Sequence, residues 1–534
     1  MKLGVVVWVE GLTVKFRINE GVRVERGQLV KVEDEGRRFI LRVFDFKPES
    51  LLTPAEIAVA SRRVEAGETV RLYDGGLRLY DTALSTILCQ VDEEGRVQGP
   101  TSVPRLFTWV EELEEGDLRL LRLDTGDLPI GCIRVGHKSS NALVSLEGTR
   151  VLPHHVLVCG VTGAGKSNLG KILAAAIMMA TPIYSLVIFD CESEYMLGSS
   201  PGKYGLVHLP MAEERLFLVT PKVDEPSRIR VRTSVGGVDV EREVLAHPLQ
   251  VNVNSLHPYD FTMTGEFTEP QEELIWLAYR TLGKEWLSTL LHADTRSLYR
   301  RLGQMASVNT ISVTKRKMRH LLGSRDIFVD STSTDLLKAV LGAVYRGRVV
   351  LFDMPFATEG EEKLLTIAVA RRIFHMYERM RKQFPAEWEK LPYVLIMVEE
   401  AHRYLSKQAL SGGEARENIF TIIAKRGRKY KVGGLYITQM PGELMEAIIR
   451  QALTKIILPL PTKPDLTKVI QYSPYLDEAE QEIRTLDRGE ALLVSPPSGI
   501  RFAVPIKVFS FEELVEALVL EPAGIYVKAR VRGG

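Results

Sequence analysis

Residues 160–167 read Gly-Val-Thr-Gly-Ala-Gly-Lys-Ser, which is the GxxxxGK[ST] pattern of a phosphate-binding loop. The apolar residues 156–159 precede this loop, and a helical pattern begins at Ser167. Glycines in such a loop let consecutive backbone N–H groups point at phosphate oxygens, and the start of the helix adds the positive end of its dipole. The sequence therefore predicts an α/β fold in which a strand, this loop and a helix bind a nucleotide.

The side chains of the loop have separate expected roles. Lys166 is expected to contact the β- and γ-phosphates, and the Ser167 hydroxyl is expected to ligate Mg²⁺. The predicted nucleotide contacts within the loop are Gly160, Thr162, Gly163, Ala164, Gly165, Lys166 and Ser167. ATP and Mg²⁺ are the expected ligands.

Length, charge and cysteine usage limit the remaining possibilities. A chain of 534 residues is too long for one core, so about three units are expected. With 69 basic and 68 acidic residues the net charge is +1, so a polyanionic partner would be held by local basic patches. Cys89, Cys132, Cys159 and Cys191 lack metal-type spacing and are expected to pack in a reducing compartment. No segment is long and apolar enough to cross a bilayer, which predicts a cytoplasmic protein without membrane contact.

The N-terminal part of the chain has the pattern of a small all-β unit. Residues 1–140 contain short, valine-rich, alternating stretches separated by glycines, including one at 69–73. Strands at this spacing predict a small β-barrel or a sandwich. One helical stretch, 54–66, interrupts them.

The rest of the chain has the pattern of an interrupted α/β domain. Residues 141–255 and 342–510 alternate long apolar strands with amphipathic helices, which is typical of a parallel sheet. Residues 256–341 are helical in pattern and are predicted to be an insertion into that domain. The tail, 511–534, is either an edge strand or strap onto a neighbouring subunit, or a frayed terminus.

Two adjacent carboxylates follow a strongly apolar strand. Glu399 and Glu400 come directly after residues 394–398, at the carboxyl end of a predicted buried strand, where open α/β sheets bind ligands. Neighbouring strand residues point to opposite sides, so Glu399 is assigned to the hydrated Mg²⁺ and Glu400 to the attacking water. The alternative is that both acids complement the dipole of the next helix.

Two further strand ends carry candidate site residues. Gln439 follows the strand at 434–438, which we predict to lie between the phosphate-loop strand and the acidic strand, so Gln439 is a γ-phosphate sensor or a plain turn residue. Asp190 ends another predicted strand, and Glu194 lies close behind it. Either acid could lie near the metal, or could cap the next helix.

Two basic runs have open roles. Residues 425–431, Lys-Arg-Gly-Arg-Lys-Tyr-Lys, lie just before the Gln439 strand, and we predict that Arg428, or otherwise Arg426, reaches the γ-phosphate of a neighbouring subunit. A solvated helix end is the alternative. The second run, 314–320, either contacts nucleic acid or forms a solvated helix face.

These residues in combination resemble a known family. The combination consists of the phosphate loop with Asn168 after it, 189–195 (Phe-Asp-Cys-Glu-Ser-Glu-Tyr), 398–402 (Val-Glu-Glu-Ala-His), 424–430 (Ala-Lys-Arg-Gly-Arg-Lys-Tyr), 437–441 (Ile-Thr-Gln-Met-Pro) and 487–491 (Asp-Arg-Gly-Glu-Ala). It resembles the HerA-type hexameric DNA translocases of the HerA/FtsK superfamily, over nearly the whole chain.

The resemblance implies a RecA-like P-loop ATPase core with a small N-terminal β-barrel and a helical insertion. It also implies nucleotide contacts at Asn168 and Asp190, and a homohexameric ring that threads double-stranded DNA. In archaeal relatives a NurA nuclease is the partner in resecting DNA ends. Three departures stand out. Asp190-Cys-Glu-Ser replaces the usual acid-histidine-glycine sequence, His154 and His155 replace an arginine often found before the loop strand, and Lys425 stands where relatives often have arginine.

The leading hypothesis is an ATP-driven translocase and helicase on double-stranded DNA, acting in end resection and repair with a partner nuclease. One alternative is an ATP-gated ring that assembles a nuclease or a defence effector without travelling along DNA. Another is a motor for a different cargo. Stimulation of ATP turnover by long duplexes would distinguish the first hypothesis from the other two.

Overall fold

Two large β-sheets organise the chain, and the computed structural model describes residues 1–69, 75–136, 138–200, 202–324, 326–406 and 417–520. Strands of the N-terminal sheet alternate between buried and exposed side chains, as in the first strand, Lys2–Glu10. Central strands of the second sheet, such as Tyr184–Asp190, are buried at every position. These two patterns are those of a sheet with one solvated face and of a sheet covered on both faces.

The N-terminal sheet closes into a barrel. Its elements are β1 (Lys2–Glu10), β2 (Thr13–Ile18), β3 (Leu29–Asp34), β4 (Arg37–Ser50), α1 (Pro54–Glu65), α2 (Gly75–Arg78), β5 (Leu79–Val91), β6 (Val97–Gln98) and β7 (Trp109–Glu112). The order is β2-β1-β7-β3-β4-β5-β6, and β2 also pairs with β5, which closes the ring. Val6, Phe16 and Phe39 are among the side chains that fill the interior. The predicted barrel is therefore confirmed.

The helix predicted over 54–66 is α1. It begins after Thr53, whose hydroxyl accepts the Glu56 N–H while the Glu56 carboxylate accepts the Thr53 N–H, a reciprocal cap that satisfies otherwise free donors. The strand predicted over 69–73 falls largely outside the described residues.

The second sheet carries the phosphate loop. The elements from residue 115 to residue 252 are α3 (Glu115–Leu120), β8 (Leu128–Val135), β9 (Lys138–Leu146), α4 (Gly148–Val151), β10 (Val156–Cys159), α5 (Lys166–Met179), β11 (Tyr184–Asp190), α6 (Ala212–Arg215), β12 (Leu216–Thr220), β13 (Ser227–Val235), β14 (Val238–Pro248) and β15 (Val251–Asn252). The phosphate loop joins β10 to α5, as predicted.

The helical insertion follows, and the sheet then resumes. The insertion contains α7 (Pro258–Thr262), α8 (Glu269–Leu282), α9 (Trp286–His292), α10 (Thr295–Arg301), α11 (Val308–Leu322), β16 (Phe328–Val329) and α12 (Leu336–Tyr345). The remaining elements are β17 (Val349–Asp353), α13 (Glu359–Gln383), α14 (Pro385–Glu389), β18 (Tyr393–Val398), α15 (His402–Leu405), α16 (Ile419–Arg426), β19 (Val432–Thr438), α17 (Glu446–Gln451), β20 (Thr454–Ile457), α18 (Lys463–Gln471), α19 (Glu480–Thr485), β21 (Glu490–Ser495), β22 (Ile500–Val508) and α20 (Phe511–Leu520).

The strand order of the second sheet is β13-β14-β12-β17-β11-β18-β19-β10-β20-β21-β22-β8-β9. Neighbours from β14 to β20 are parallel, so their carboxyl ends share one edge of the sheet. β19 lies between β18 and β10, which is the extra strand that the sequence predicts between the acids and the loop. The α/β fold with a barrel and an insertion is thus confirmed.

Antiparallel strands complete the sheet beyond β20. The predicted hairpin near the C-terminal end is β21 and β22. β22 pairs in turn with β8, where Ile506 lies opposite Ile133. The hairpin of β8 and β9 extends across residue 140, so strands on both sides of that predicted domain boundary belong to the ATPase sheet. The five-segment division itself stays a prediction.

The basic run at 314–320 lies in α11, and its cations bind protein carbonyls. The Lys315 ammonium group donates to Ala293 O at 2.6 Å, and Arg319 donates to Leu291 O at 2.7 Å. Both acceptors lie at the C-terminal end of α9, where cations offset the helix dipole. The Lys317 ammonium group donates to Glu266 O at 2.7 Å. Lys315 is thus buried by its contacts, whereas Arg316, Arg319 and His320 of this run are exposed, and the choice between a solvated face and a nucleic-acid contact stays a prediction.

Within the described part of the chain, none of the helices has the length and apolar character that a membrane span needs. The C-terminal tail begins with α20, and its residues 521–534 fall outside the described residues.

Candidate active site

The phosphate loop forms a concave cradle at the end of β10. α5 begins at Lys166, one residue earlier than predicted, with Gly165 as its N-cap. Gly163 and Gly165 have φ of +79° and +108°, a region that side chains other than glycine rarely adopt. These two positions turn the backbone so that a helix start faces the loop, which is the geometry that binds anions.

Lys166 folds over the loop and faces the acids. Its ammonium group donates to Gly160 O and Val161 O, at 3.0 Å each. Burial lowers the pKa of Lys166 from its ordinary value, and the charges of Glu400 and Glu399 oppose that shift. The structure therefore brings the lysine and both carboxylates together.

The segment 487–491 packs against the backbone of the phosphate loop. Gly489 N–H donates to Ala164 O at 3.1 Å. A Cβ on Gly165 would lie 3.7 Å from the Gly489 backbone, so the two chains are in van der Waals contact. The sequence alone assigns no role to residues 487–491. The structure shows that they contact the phosphate loop through its backbone.

Gln439 reaches the loop from the end of β19. The Thr162 hydroxyl donates to Gln439 Oε1 at 2.5 Å. The sensor assignment stays a prediction, and the structure supplies the proximity that it requires.

Glu399 is half-buried behind the loop. The Tyr195 hydroxyl donates to Glu399 Oε1 at 2.5 Å. Burial raises the pKa of the Glu399 carboxyl to about 7, against the effect of this hydrogen bond, and neighbouring carboxylates add to the rise. A carboxylate in this setting favours a cation nearby, because a positive charge would offset the unfavourable charged form.

Glu400 has a different environment and a strained backbone. Its φ is +44°, which is uncommon for a residue with a side chain. Its Oε2 atom is buried and accepts no hydrogen bond from the residues described, although His402 Nδ1 lies 3.3 Å away. Such an orphaned acceptor beside a phosphate cradle is suited to take a proton from a water molecule.

Asp190 orders the loop that carries Tyr195. Its buried carboxylate accepts the backbone N–H groups of Glu194 at 3.0 Å and Tyr195 at 2.8 Å. Burial raises the pKa of Asp190, although these hydrogen bonds act in the opposite direction. Asp190 thus caps an irregular turn and supports the site through Tyr195, whereas both sequence alternatives place it at the metal or at a helix start.

Asn168 has partners that the resemblance does not predict. Its side-chain N–H donates to Phe509 O at 2.8 Å, and its Oδ1 accepts the Phe511 N–H at 2.9 Å. Both polar ends of the carboxamide are therefore engaged with the C-terminal segment at the start of α20. The structure gives Asn168 an anchoring role, and a nucleotide contact there stays a prediction.

The residues present fit a magnesium ion that is shared with phosphate oxygens. The Ser167 hydroxyl has no hydrogen-bond partner among the described residues and would be free to bind the ion, and the Glu399 carboxylate would hold one of the ion's water ligands. No cluster of three or more acids, histidines or cysteines that could hold a metal occurs in the described ranges. Mg²⁺ ordinarily binds through one or two protein oxygens plus substrate phosphates, so this sparse donor set suits it.

The basic run at 425–431 lies at the opposite edge of the sheet. β19 begins at Val432 and ends at Thr438, so about 20 Å of extended strand separates the run from Gln439. Arg426 pairs with Glu378 at 2.6 Å and lies over the Tyr430 ring at 5.7 Å. Arg428 is exposed and forms no ion pair or hydrogen bond with the residues the structure describes. Neither guanidinium can reach the phosphate loop of its own chain.

His155 links β10, β19 and α16 at this edge of the sheet through hydrogen bonds. Its buried ring accepts the Gly434 N–H at Nδ1, at 3.0 Å, and donates from Nε2 to Ala424 O at 3.1 Å. These bonds fix the neutral tautomer, and burial lowers the pKa of His155 to about 4. The imidazole thus joins the start of β10 to β19 and to the helix that leads to Arg426.

Comparison with known proteins adds a family match. The family model described as the central domain of helicase HerA matches residues 131–373. The DNA double-strand break repair helicase HerA of Pyrococcus furiosus is 23% identical over 536 residues, which cover 94% of this chain and 90% of that protein. The probable helicase MJECL08 of Methanocaldococcus jannaschii is 32% identical over 436 residues, or 78% of this chain and 77% of that protein.

Among solved structures, the plasmid coupling protein TrwB in complex with a non-hydrolysable GTP analogue aligns with a TM-score of 0.44 and 12% identity. That alignment covers 74% of this chain and 92% of TrwB.

The buried His155 should make the folded state sensitive to acid. An unfolded histidine has a pKa near 6.5, whereas the folded value is about 4, so the unfolded chain takes up a proton first as the pH falls. The free energy of unfolding should therefore fall by about 2 kcal/mol from this group between about pH 7.5 and about pH 5. Denaturant unfolding of wild type and His155→Gln across this range would measure it. Equal pH slopes for the two proteins would contradict the assignment.

Proposed function

The chain belongs to the HerA helicase family, and from that premise we propose that it is an ATP-driven hexameric motor that moves on double-stranded DNA. The observation that carries the proposal is the division of the active site between two edges of one sheet. The phosphate loop, Glu399, Glu400 and Gln439 lie at the carboxyl edge, whereas the exposed Arg428 lies at the other. Arg428 is therefore too distant to serve its own phosphate loop and is free to contact that of a neighbouring copy.

ATP hydrolysis follows from the groups at the carboxyl edge. Backbone N–H groups of residues 160–167 and the Lys166 ammonium group hold the phosphates, which releases the lysine from Gly160 O. Ser167 and Glu399 would hold Mg²⁺, and the ion would supply positive charge that offsets the charge of the phosphate oxygens. Glu400 Oε2, which is buried and accepts no hydrogen bond from the described residues, takes the proton of the attacking water. The water oxygen bonds to the γ-phosphorus as the bond from that phosphorus to ADP breaks.

Gln439 links the γ-phosphate to the rest of the sheet. Its Oε1 accepts from Thr162 of the loop, while β19 leads back to the segment of Arg428. Loss of the γ-phosphate on hydrolysis removes a partner at one end of β19, and the neighbour's arginine loses the same partner. Coupling of this kind converts hydrolysis into relative movement of subunits.

We expect the DNA contact to be independent of sequence. Phosphate contacts give affinity and position without reading bases. The relatives named as double-strand break repair helicases support DNA as the track, and end resection with a NurA-like nuclease is proposed from the family resemblance alone. In the basic run of α11, Lys315 and Lys317 bind carbonyls of the insertion, so the exposed Arg316 is the member most available for such a phosphate contact.

The Lys166→Ala and Glu400→Gln variants should separate binding from chemistry. Loss of the lysine removes charge-assisted hydrogen bonds, so the affinity for ATP should fall by about 10- to 100-fold. Glu400→Gln keeps the shape of the side chain but cannot take a proton, so turnover should fall by at least about 100-fold while binding persists. Titration with a fluorescent ATP analogue and measurement of phosphate release would check both. Normal turnover by Glu400→Gln would reassign the base.

Arg428→Ala should abolish turnover through the neighbouring subunit. An arginine finger contributes about 10³- to 10⁵-fold to the rate. Mixing Arg428→Ala with Lys166→Ala, each inactive alone, should restore phosphate release in part, because mixed rings contain seams with an intact loop and an intact arginine. Lys429→Ala, which removes the adjacent exposed cation, is the matched control and should stay active. Failure of the mixture in assembled rings would contradict a role in the neighbour.

The motor itself is tested by the dependence of turnover on DNA length. Phosphate release should rise with duplex DNA, rise more with long than with short duplexes, and lose this stimulation as salt is added, because phosphate contacts release counterions. Electron-microscope images with and without DNA would show whether density fills a ring. Slow turnover that ignores DNA length would instead favour a ring that assembles a nuclease or an effector without moving.

A further inference from the structure

Tyr195 is a fully buried tyrosine whose hydroxyl faces the active site. Its ring has 0% exposure, and its hydroxyl donates to Glu399 Oε1 at 2.5 Å. We propose that Tyr195 is a positioning residue that fixes the Glu399 carboxylate, and that the absence of a side chain at Gly170 creates the space for its hydroxyl. This inference rests on the proposed function, in which Glu399 faces the magnesium ion.

Gly170 is required by space and not by backbone conformation. It lies inside α5, where glycine costs about 1 kcal/mol relative to alanine, and it is absent from the residues with positive φ. A Cβ at this position would lie 2.4 Å from the Tyr195 hydroxyl oxygen, but 3.3 Å from the next ring atom. The hydroxyl alone therefore accounts for the severe clash.

The backbone of Tyr195 is held from two sides. Its N–H donates to Asp190 Oδ2 at 2.8 Å, and its carbonyl accepts the Leu206 N–H at 2.7 Å. A buried phenol needs a hydrogen-bond partner, and here the anchored backbone directs it to Glu399. The ring cannot turn away without leaving its hydroxyl unpaired in the core.

Loss of the Tyr195 hydroxyl should affect the binding of Mg²⁺ and not the binding of the nucleotide itself. A carboxylate that binds a cation through water depends on groups that fix its orientation, and loss of such a group typically costs 10- to 100-fold in metal affinity or activity. Tyr195 is the group that donates to Glu399 in this structure. Its loss should therefore change the magnesium requirement before it changes nucleotide binding.

The test compares Tyr195→Phe, Gly170→Ala and the double variant. Tyr195→Phe and Gly170→Ala should each raise the Mg²⁺ concentration for half-maximal turnover by about 10- to 100-fold. Binding of a fluorescent nucleotide without Mg²⁺ should stay unchanged in Tyr195→Phe. Tyr204→Phe removes another tyrosine hydroxyl that donates to a carboxylate, that of Glu516 at 3.0 Å, and is the control that should leave the Mg²⁺ requirement unchanged.

A nucleotide-free readout comes from thermal melting of the same variants. A Cβ at Gly170 would lie 2.4 Å from the hydroxyl oxygen but 3.3 Å from the ring, so Gly170→Ala should lower the melting temperature of wild type clearly more than that of Tyr195→Phe. Additive melting shifts would overturn the link to Gly170. An unchanged Mg²⁺ requirement in Tyr195→Phe would overturn the positioning role.

Failure of the motor and failure of this inference give different results. If wild type hydrolyses ATP but ignores DNA, the motor is wrong, while a raised Mg²⁺ requirement in Tyr195→Phe still supports the positioning role. If wild type takes up no nucleotide with or without Mg²⁺, both are overturned.

Discussion

Pairing of β19 between β18 and β10 sets the spacing on which the active site depends. Neighbouring strands lie about 4.8 Å apart, so the acids that follow β18 and the phosphate loop that follows β10 are separated by about 10 Å. Gln439 projects into this gap from the end of β19 and meets Thr162. A γ-phosphate and an attacking water fit into a gap of this order.

At the carboxyl ends of the parallel strands, the backbone of Glu400 is strained and some polar atoms lack hydrogen-bond partners among the described residues. Glu400 has a positive φ, a conformation that costs about 1–3 kcal/mol for a residue with a side chain, and one of its oxygens is buried without a partner. Glu399 is kept beside Tyr195 in surroundings that disfavour its charge. Such features persist because the buried strands on either side fix the backbone, and a bound cation would offset the charge that these carboxylates carry.

The other edge of the sheet is stabilised in the opposite way, by complete pairing. His155 satisfies two backbone groups, and Arg426 is exposed but paired with Glu378, which leaves Arg428 as the guanidinium of the run without a described partner. The insertion follows the same rule, since Lys315 and Arg319 bind carbonyls at the end of α9. Two basic runs that look alike in sequence thus differ in the number of cations that remain available to a partner.

The sequence by itself determined the elements whose signals are local. The phosphate loop, the acids after an apolar strand, the extra strand before Gln439 and the barrel all follow from periodicity and motif spacing, because such patterns depend on neighbouring residues. The hairpin of β13 and β14 was missed, since β13 is an edge strand rich in arginine. The tertiary structure alone decided that Asn168 anchors α20, that Asp190 supports Tyr195 and that Gly170 makes room for it. These roles depend on hydrogen bonds between residues that are distant in the chain, or on the space that a missing side chain leaves. Neither produces a periodic pattern in the sequence.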